Sequence, residues 1–154
     1  TVQEEFNLRG ALVAAQDIEP DIAIALDVMV AGDTPDLRGK NDIVLGGGPV
    51  LGMYSFHGRG TLNGVLPHPL LLSSFREGAG RLGMPLQYNA ATGLLTDLSY
   101  VQLVGRHGVA ALDLGFPARY THSPVEMCDL RDLEALACLL EETISSWGPM
   151  DLRR

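Results

Sequence analysis

Long apolar runs are missing from this chain. No uninterrupted stretch approaches the roughly 20 apolar residues that a bilayer-spanning helix needs, so no membrane-spanning role is expected. Basic clusters are missing too: 11 Lys and Arg stand against 19 Asp and Glu, a net charge of −8. That balance argues against nucleic acid and against an anionic membrane surface as partners. Cysteine is scarce, with Cys128 and Cys138 the only two. With Cys138 inside a helix and Cys128 just before it, the pair spans about 15 Å at ~1.5 Å per residue. A disulfide needs Cα atoms within about 7 Å, so reduced, half-buried thiols of a cytoplasmic protein are expected. The start, Thr1-Val2-Gln3-Glu4-Glu5, has no initiator Met and no basic segment of a signal peptide. It opens almost on its best catalytic candidate, which reads as the later part of a larger protein.

What is present is globular. The chain has 154 residues, 46% hydrophobic and 19% charged, which is one domain with enough apolar surface for a core. No repeat, low-complexity segment or linker divides it. Val2-Gln3 reads as the tail of a strand, and Asn7 as the N-cap of a helix over Leu8 to Asp17. Ile22 to Val30 is apolar on both faces, the pattern of a central strand covered on two sides. Gly32 to Asp42 is polar loop, Ile43 to Ser55 is Gly-rich but β-like, and His57 to Pro67 is loop. Pro69 begins a helix to about Leu82, with Leu72, Phe75, Ala79 and Leu82 as its apolar stripe. A strand near Pro85 to Asn89, a turn at Ala91-Thr92-Gly93 and a short helix within Asp97 to Val104 follow. Val109 to Gly115 is a strand. Asp129 caps a last helix to about Ser146 that turns Leu130, Leu133, Ala137, Leu140 and Ile144 inward. Strands alternating with helices predict a three-layer α/β/α sandwich around a mostly parallel or mixed sheet.

Few residues carry chemistry by type and setting. Asp27 interrupts an apolar strand, and a buried carboxylate must be paired, protonated or metal-bound. Its bland alternative is acceptance of backbone or Arg hydrogen bonds. Glu4 and Glu5 sit where a strand end meets a helix start, a place where adjacent side chains can share a site. There they also simply complement the helix dipole. His122 follows Arg119-Tyr120 and precedes Ser-Pro; a lone loop histidine is more often a surface residue than a ligand. His57, His68 and His107 receive no role. Gly46-Gly47-Gly48-Pro49 lacks the spacing of a phosphate loop and reads as a bend or bulge. Two adjacent carboxylates, a strand carboxylate and a histidine together suit a divalent metal, with one carboxylate spare as a base.

The order of these segments adds a resemblance. The blocks are Val2-Gln3-Glu4-Glu5 with Leu8-Arg9-Gly10-Ala11; Pro20-Asp21-Ile22-Ala23-Ile24-Ala25 with Asp27-Val28; Ala31-Gly32-Asp33-Thr34-Pro35; Gly48-Pro49; Pro85-Leu86-Gln87; Thr96-Asp97; and Arg119-Tyr120 with His122-Ser123-Pro124-Val125-Glu126. In this order they resemble the C-terminal part of the dinuclear-metal aminopeptidases. That family includes the glutamyl, deblocking and FrvX-like enzymes and was once labelled cellulase or endoglucanase. The resemblance implies that residues 1–154 are an incomplete catalytic domain of a hydrolase that removes N-terminal residues from peptides. It implies Glu4 as the general base, Glu5 and His122 on one divalent ion and Asp27 on the other, the ions being Zn, Co or Mn and roughly 3.5–4 Å apart. A further ligating His and a bridging Asp of the family come from sequence upstream of the Glu-Glu pair, and its members form homo-oligomers. This sequence differs from the family at Phe6-Asn7, commonly Val-Gly, and at Asp36, commonly Gly. Two other readings stand beside it. One is an inactive remnant or non-enzymatic module that keeps the fold; the other is a glycoside hydrolase, which needs a carboxyl pair flanking a sugar bond.

Overall fold

The Pro20-Asp21 break and the β-branched residues after it start a strand, β1 (Ile22–Val30), in the computed structural model, which describes residues 1–58 and 60–152. Its parallel neighbour is β5 (Ala110–Arg119), paired along its whole length from Ile22↔Ala110 to Val30↔Ala118. β2 (Val50–Phe56) meets β5 antiparallel at Val50↔Gly115 and Leu51↔Leu114. Beyond that crossing the two strands take different partners. β2 pairs with the short β3 (Gly64–Val65), and β5 with the short β6 (Met127–Cys128). β4 (Gln87–Thr92) runs parallel to β2 on its other side. The sheet is therefore mixed.

Four helices among the described residues cover it. α1 (Arg9–Ile18) and α3 (Leu98–Val101) lie on one face, where Ala15, Leu98 and Val101 pack on Ala23, Ala25 and Ala111. The alanines let this layer approach closely. α2 (Pro69–Leu82) and α4 (Leu130–Ser145) cover the other face, where Leu71, Phe75 and Leu139 pack on Leu51, Leu112 and Leu114. Each of these large side chains, fully withdrawn from water, contributes about 1.5–3 kcal/mol. The result is the α/β/α sandwich expected from the sequence.

Several expectations are corrected. β1 is paired on one side only among the described residues, so it is an edge strand and its side chains are mostly half-buried. β5 is the central strand, with eight of its ten residues buried. Val2-Gln3 is turn rather than strand, and Leu8, not Asn7, occupies the N-cap of α1 without a side-chain cap bond. The first half of Ile43–Ser55 is loop, because Gly46 and Gly48 take left-handed backbone (φ 76° and 90°). A Cβ at Gly48 would also strike Pro85 O at 2.6 Å. On α2, Leu71 and Gly78 are buried and Leu82 is exposed. α4 is rotated relative to expectation, burying Asp132, Leu136, Leu139 and Thr143 and leaving Leu130 and Ile144 outside. Asp129 does cap it, accepting from Arg131 N–H at 2.9 Å. Cys128 and Cys138 are unpaired, as expected, but exposed rather than half-buried.

Candidate active site

Glu4 and Glu5 belong to a segment that folds back on itself in turns. Leu8 N–H donates to Glu4 O at 2.9 Å and Gly10 N–H to Val2 O at 2.9 Å. The close approach needs glycine, since a Cβ at Gly10 would lie 2.5 Å from Val2 O. Gln3, Asn7 and Leu8 all hold left-handed backbone here (φ 57°, 70° and 55°). Burial of Leu8, 4% exposed, anchors this costly conformation.

Asp27 stands on β1, half-buried, its Oδ1 accepting Val28 N–H at 2.7 Å. Gly115 faces it across the ladder, and a Cβ there would meet Asp27 O at 2.1 Å. His122 comes from the loop after β5. Tyr120 and His122 are left-handed (φ 61° and 60°), and His122 N–H donates to Glu126 Oε1 at 2.8 Å. The root of that loop is fixed by Arg119, whose Nε and Nη2 each reach an oxygen of Asp33 at 2.7 Å. Asp33 also accepts Leu45 N–H at 3.1 Å. Held by the Arg119 guanidinium, the Asp33 carboxyl lies below its usual pKa.

These elements converge on one cleft of about 1100 Å³, lined by Glu4, Glu5, Asp27 and His122. His122 Nε2 is 3.5 Å from Glu5 Oε1. Both side chains are about three-quarters exposed (75% and 77%), so their mutual attraction is weak and their remaining faces are open to a ligand. Burial first, then repulsion from Glu5, Asp27 and Asp97, raises the Glu4 pKa. Burial also raises that of Asp27, with Asp97 and Glu5 adding to it and the Val28 amide and His122 opposing. The cleft is thus an acidic depression whose carboxylates repel one another, a setting that a divalent cation relieves. Oxygen and imidazole donors suit such an ion. Glu5 and His122 form a two-donor pair, and Asp27 stands as a single donor in the same cleft. Among the described residues no group of three or more such side chains is placed to hold a metal.

Two further acids stand close by, Asp97 beside the cleft and Asp113 in its lining, and neither is given a role by the sequence. Asp97 accepts two bonds from Thr1 Oγ1, at 3.1 and 2.9 Å. Asp113 is 4% exposed on the central strand and takes a 2.8 Å bond from Thr96 Oγ1. The signal that singled out Asp27, a carboxylate inside an apolar strand, was equally present at Asp113. The glycine bend also finds its reason: Gly46 and Gly48 N–H both donate to the buried Asp132 carboxylate at 2.8 Å. A carboxylate of the chain itself occupies these amides, as the rejection of a phosphate loop requires.

The chain is similar to known proteins over most of its length. The sequence pattern of the M42 glutamyl aminopeptidases matches residues 1–139. The SgcX protein of Escherichia coli is 38% identical over 133 residues, 86% of this chain and 35% of that protein. The lysyl aminopeptidase of Pyrococcus furiosus is 37% identical over 154 residues, 98% of this chain and 40% of that protein. In structure, an aminopeptidase of Desulfurococcus kamchatkensis superposes with a TM-score of 0.86 at 36% identity, over 97% of this chain and 41% of its own. The TET1 peptidase of Pyrococcus horikoshii, which can assemble into a tetrahedron or a large octahedral shell, gives 0.73 at 32% identity, over 92% of this chain and 38% of its own. The chain thus spans about two-fifths of the length of the proteins it matches.

Proposed function

This chain belongs to the M42 glutamyl aminopeptidase family, and on that premise we propose that it forms the later portion of a metal-dependent aminopeptidase domain. The reaction is hydrolytic removal of N-terminal residues from peptides. The observation that carries the reading is the convergence of Glu4, Glu5, Asp27 and His122 on one cleft from three separate parts of the chain. Two divalent cations, when bound, supply Lewis acidity to the peptide carbonyl and to the attacking water. Glu5 and His122 hold one of them, their donor atoms already 3.5 Å apart, and Asp27 contributes to the other. Glu4, half-buried beside them, accepts the proton of the attacking water and returns it to the departing amine.

The described residues bring together only pairs and single donors; by the family resemblance, a further His and a bridging Asp from sequence upstream of Glu4 would complete the set. The isolated chain is accordingly expected to show negligible turnover of amino-acyl anilides, with or without added Zn or Co. No helix among the described residues is long and apolar enough to cross a membrane, and the exposed, unpaired cysteines suit a reducing, cytoplasmic setting. Homo-oligomeric assembly is part of the same proposal, by analogy with the Pyrococcus horikoshii peptidase.

The test is made in a polypeptide that joins these residues to the family's remaining ligands. Glu4→Gln should abolish turnover, by about a hundredfold or more, while leaving metal content nearly intact. His122→Ala and Asp27→Asn should lower metal content and turnover together, since ligand loss weakens the site before any chemistry. Metal stoichiometry and kcat for the three variants decide it. Loss of metal in Glu4→Gln with retention in His122→Ala would show base and ligand to be exchanged.

A further inference from the structure

Across the sheet runs a row of four side-chain positions, Ala25 on β1, Asp113 on β5, Gly52 on β2 and Asn89 on β4, of which the last three line the cleft. Ala25 pairs with Asp113, and Gly52 with Asn89. Gly52 lies against Asp113 so closely that a Cβ on it would stand 2.7 Å from Asp113 Cβ. On the Gly52 side the carboxylate therefore has only a hydrogen beside it, while on the other side Ala25 is packed beneath α1 and α3. On the helix side it is met by Thr96, whose hydroxyl donates to Oδ1 at 2.8 Å. No Lys, Arg or His pairs with it among the described residues. Asp113, Gly52, Asn89 and Thr96 all line the cleft that holds Glu4, Asp27 and His122.

A buried carboxylate without a cationic partner is costly, and proteins retain one where a ligand supplies the missing charge. We propose that Asp113 is a specificity-determining residue that receives the cationic side chain of a substrate's N-terminal residue, lysine or arginine. The inference rests on the aminopeptidase reading. Two dications would offset Glu5 and Asp27, leaving Asp113 as an acid at the floor with no counter-charge. Its position selects the side chain over the α-ammonium. Asp113 shares a sheet face with Asp27 but pairs with Ala25, two residues earlier on β1, which is about 6–7 Å along the strand. An α-ammonium lies two bonds from the scissile carbonyl and stays beside Asp27. A cation on the flexible four-carbon stem of lysine covers the distance. Gly52, without a side chain and itself lining the cleft, leaves that stem its approach.

The experiment compares lysyl and norleucyl anilides, which differ in the terminal ammonium, using the polypeptide that carries these residues with the family's remaining ligands. In parallel, equilibrium binding of lysinamide and norleucinamide is measured on the 154-residue chain. The expected result is a preference for lysyl that falls on the order of tenfold in Asp113→Asn and is kept in Asp113→Glu. A lysyl-to-norleucyl ratio unchanged in Asp113→Asn overturns the proposal while leaving the aminopeptidase reading intact. So does a parallel loss on both substrates, which marks an α-ammonium or purely structural role. Absence of turnover on every anilide sinks the aminopeptidase reading, and binding then decides alone. Lysinamide binding more tightly than norleucinamide, with Asp113→Asn erasing the difference, supports the proposal; equal or absent binding overturns it.

Discussion

Replacing Asp113 with asparagine should make the metal-free, substrate-free protein more stable at neutral pH, and the size of the gain follows from burial. Desolvation, with repulsion from Asp27 and Asp97, raises this carboxyl from its ordinary 3.8 to about 6, although the Thr96 hydroxyl works in the other direction. Below the ordinary value the group is protonated in folded and unfolded chains alike. Above about 6 it is ionised in both. Between the two the folded chain binds the extra proton, so stability falls as pH rises through that window, by about 3 kcal/mol in all. Asparagine fills the same space and carries no charge to desolvate. The difference between variant and parent, measured by urea denaturation, should therefore shift in the variant's favour by about 2.4 kcal/mol from about pH 4 to about pH 7.5. Taking the difference removes most of the contribution of the other titrating groups. Trp147, the single tryptophan, packs edge-to-face on core Phe75 at 6.3 Å and supplies the fluorescence signal. A difference that stays flat within about 0.5 kcal/mol would refute the argument. A gain in stability from removing a cleft residue is the trade expected where a site is built for a ligand rather than for the fold.

Asp132→Ala should cost about 2–5 kcal/mol, because one buried and one partly buried glycine amide lose charge-assisted bonds at once; a change in unfolding free energy below about 1 kcal/mol contradicts the role given to that carboxylate. Asp33→Asn should cost about 1–2 kcal/mol at neutral pH, the partly exposed bidentate pair with Arg119 being screened by water. Since the Asp33 pKa is depressed, its contribution is present above the ordinary carboxylate value and disappears as pH falls through the folded one. Denaturation curves of parent and Asp33→Asn should therefore converge in acid, and a constant gap down to about pH 2 would exclude this.

Where the chain punctuates itself, the sequence is readable. Pro69 at the first turn and Gly83 at the C-cap bound α2 at the residues expected. Pro20 and Asp21 do the same for the start of β1, and Asp129 for α4. The failures have a common cause in tertiary partners. β3 and β6 are two residues each and exist only because β2 and β5 offer them a ladder. The inward face of α4 is displaced because a carboxylate, Asp132, takes a core position to hold the glycine bend, and hydrophobic periodicity is blind to that. β1 reads as central because its faces are apolar, but apolar faces report the layers above and below a strand, not its neighbours within the sheet. Glu4, Glu5, Asp27 and His122 were singled out by residue type, order and resemblance, and they line one cleft. Asp113 interrupts an apolar run just as Asp27 does, but it lies outside the segments that carry the resemblance.

The order of the strands has a kinetic meaning. β5 is the most buried strand and the one that both β1 and β2 lean on, yet it follows both of them in the chain by a wide interval. Ile22 waits for Ala110, and Val50 for Gly115. Ladders of such sequence separation carry a large loop-closure cost before any contact repays it, which places the chain among slow folders. Among the described residues β1 has no partner in the sheet until β5 is made, and the alanine-rich layer beneath α1 lacks Ala111 to close against. Asp27 and His122 consequently enter one cleft in the same late event that seals the core, and the site cannot form ahead of the fold.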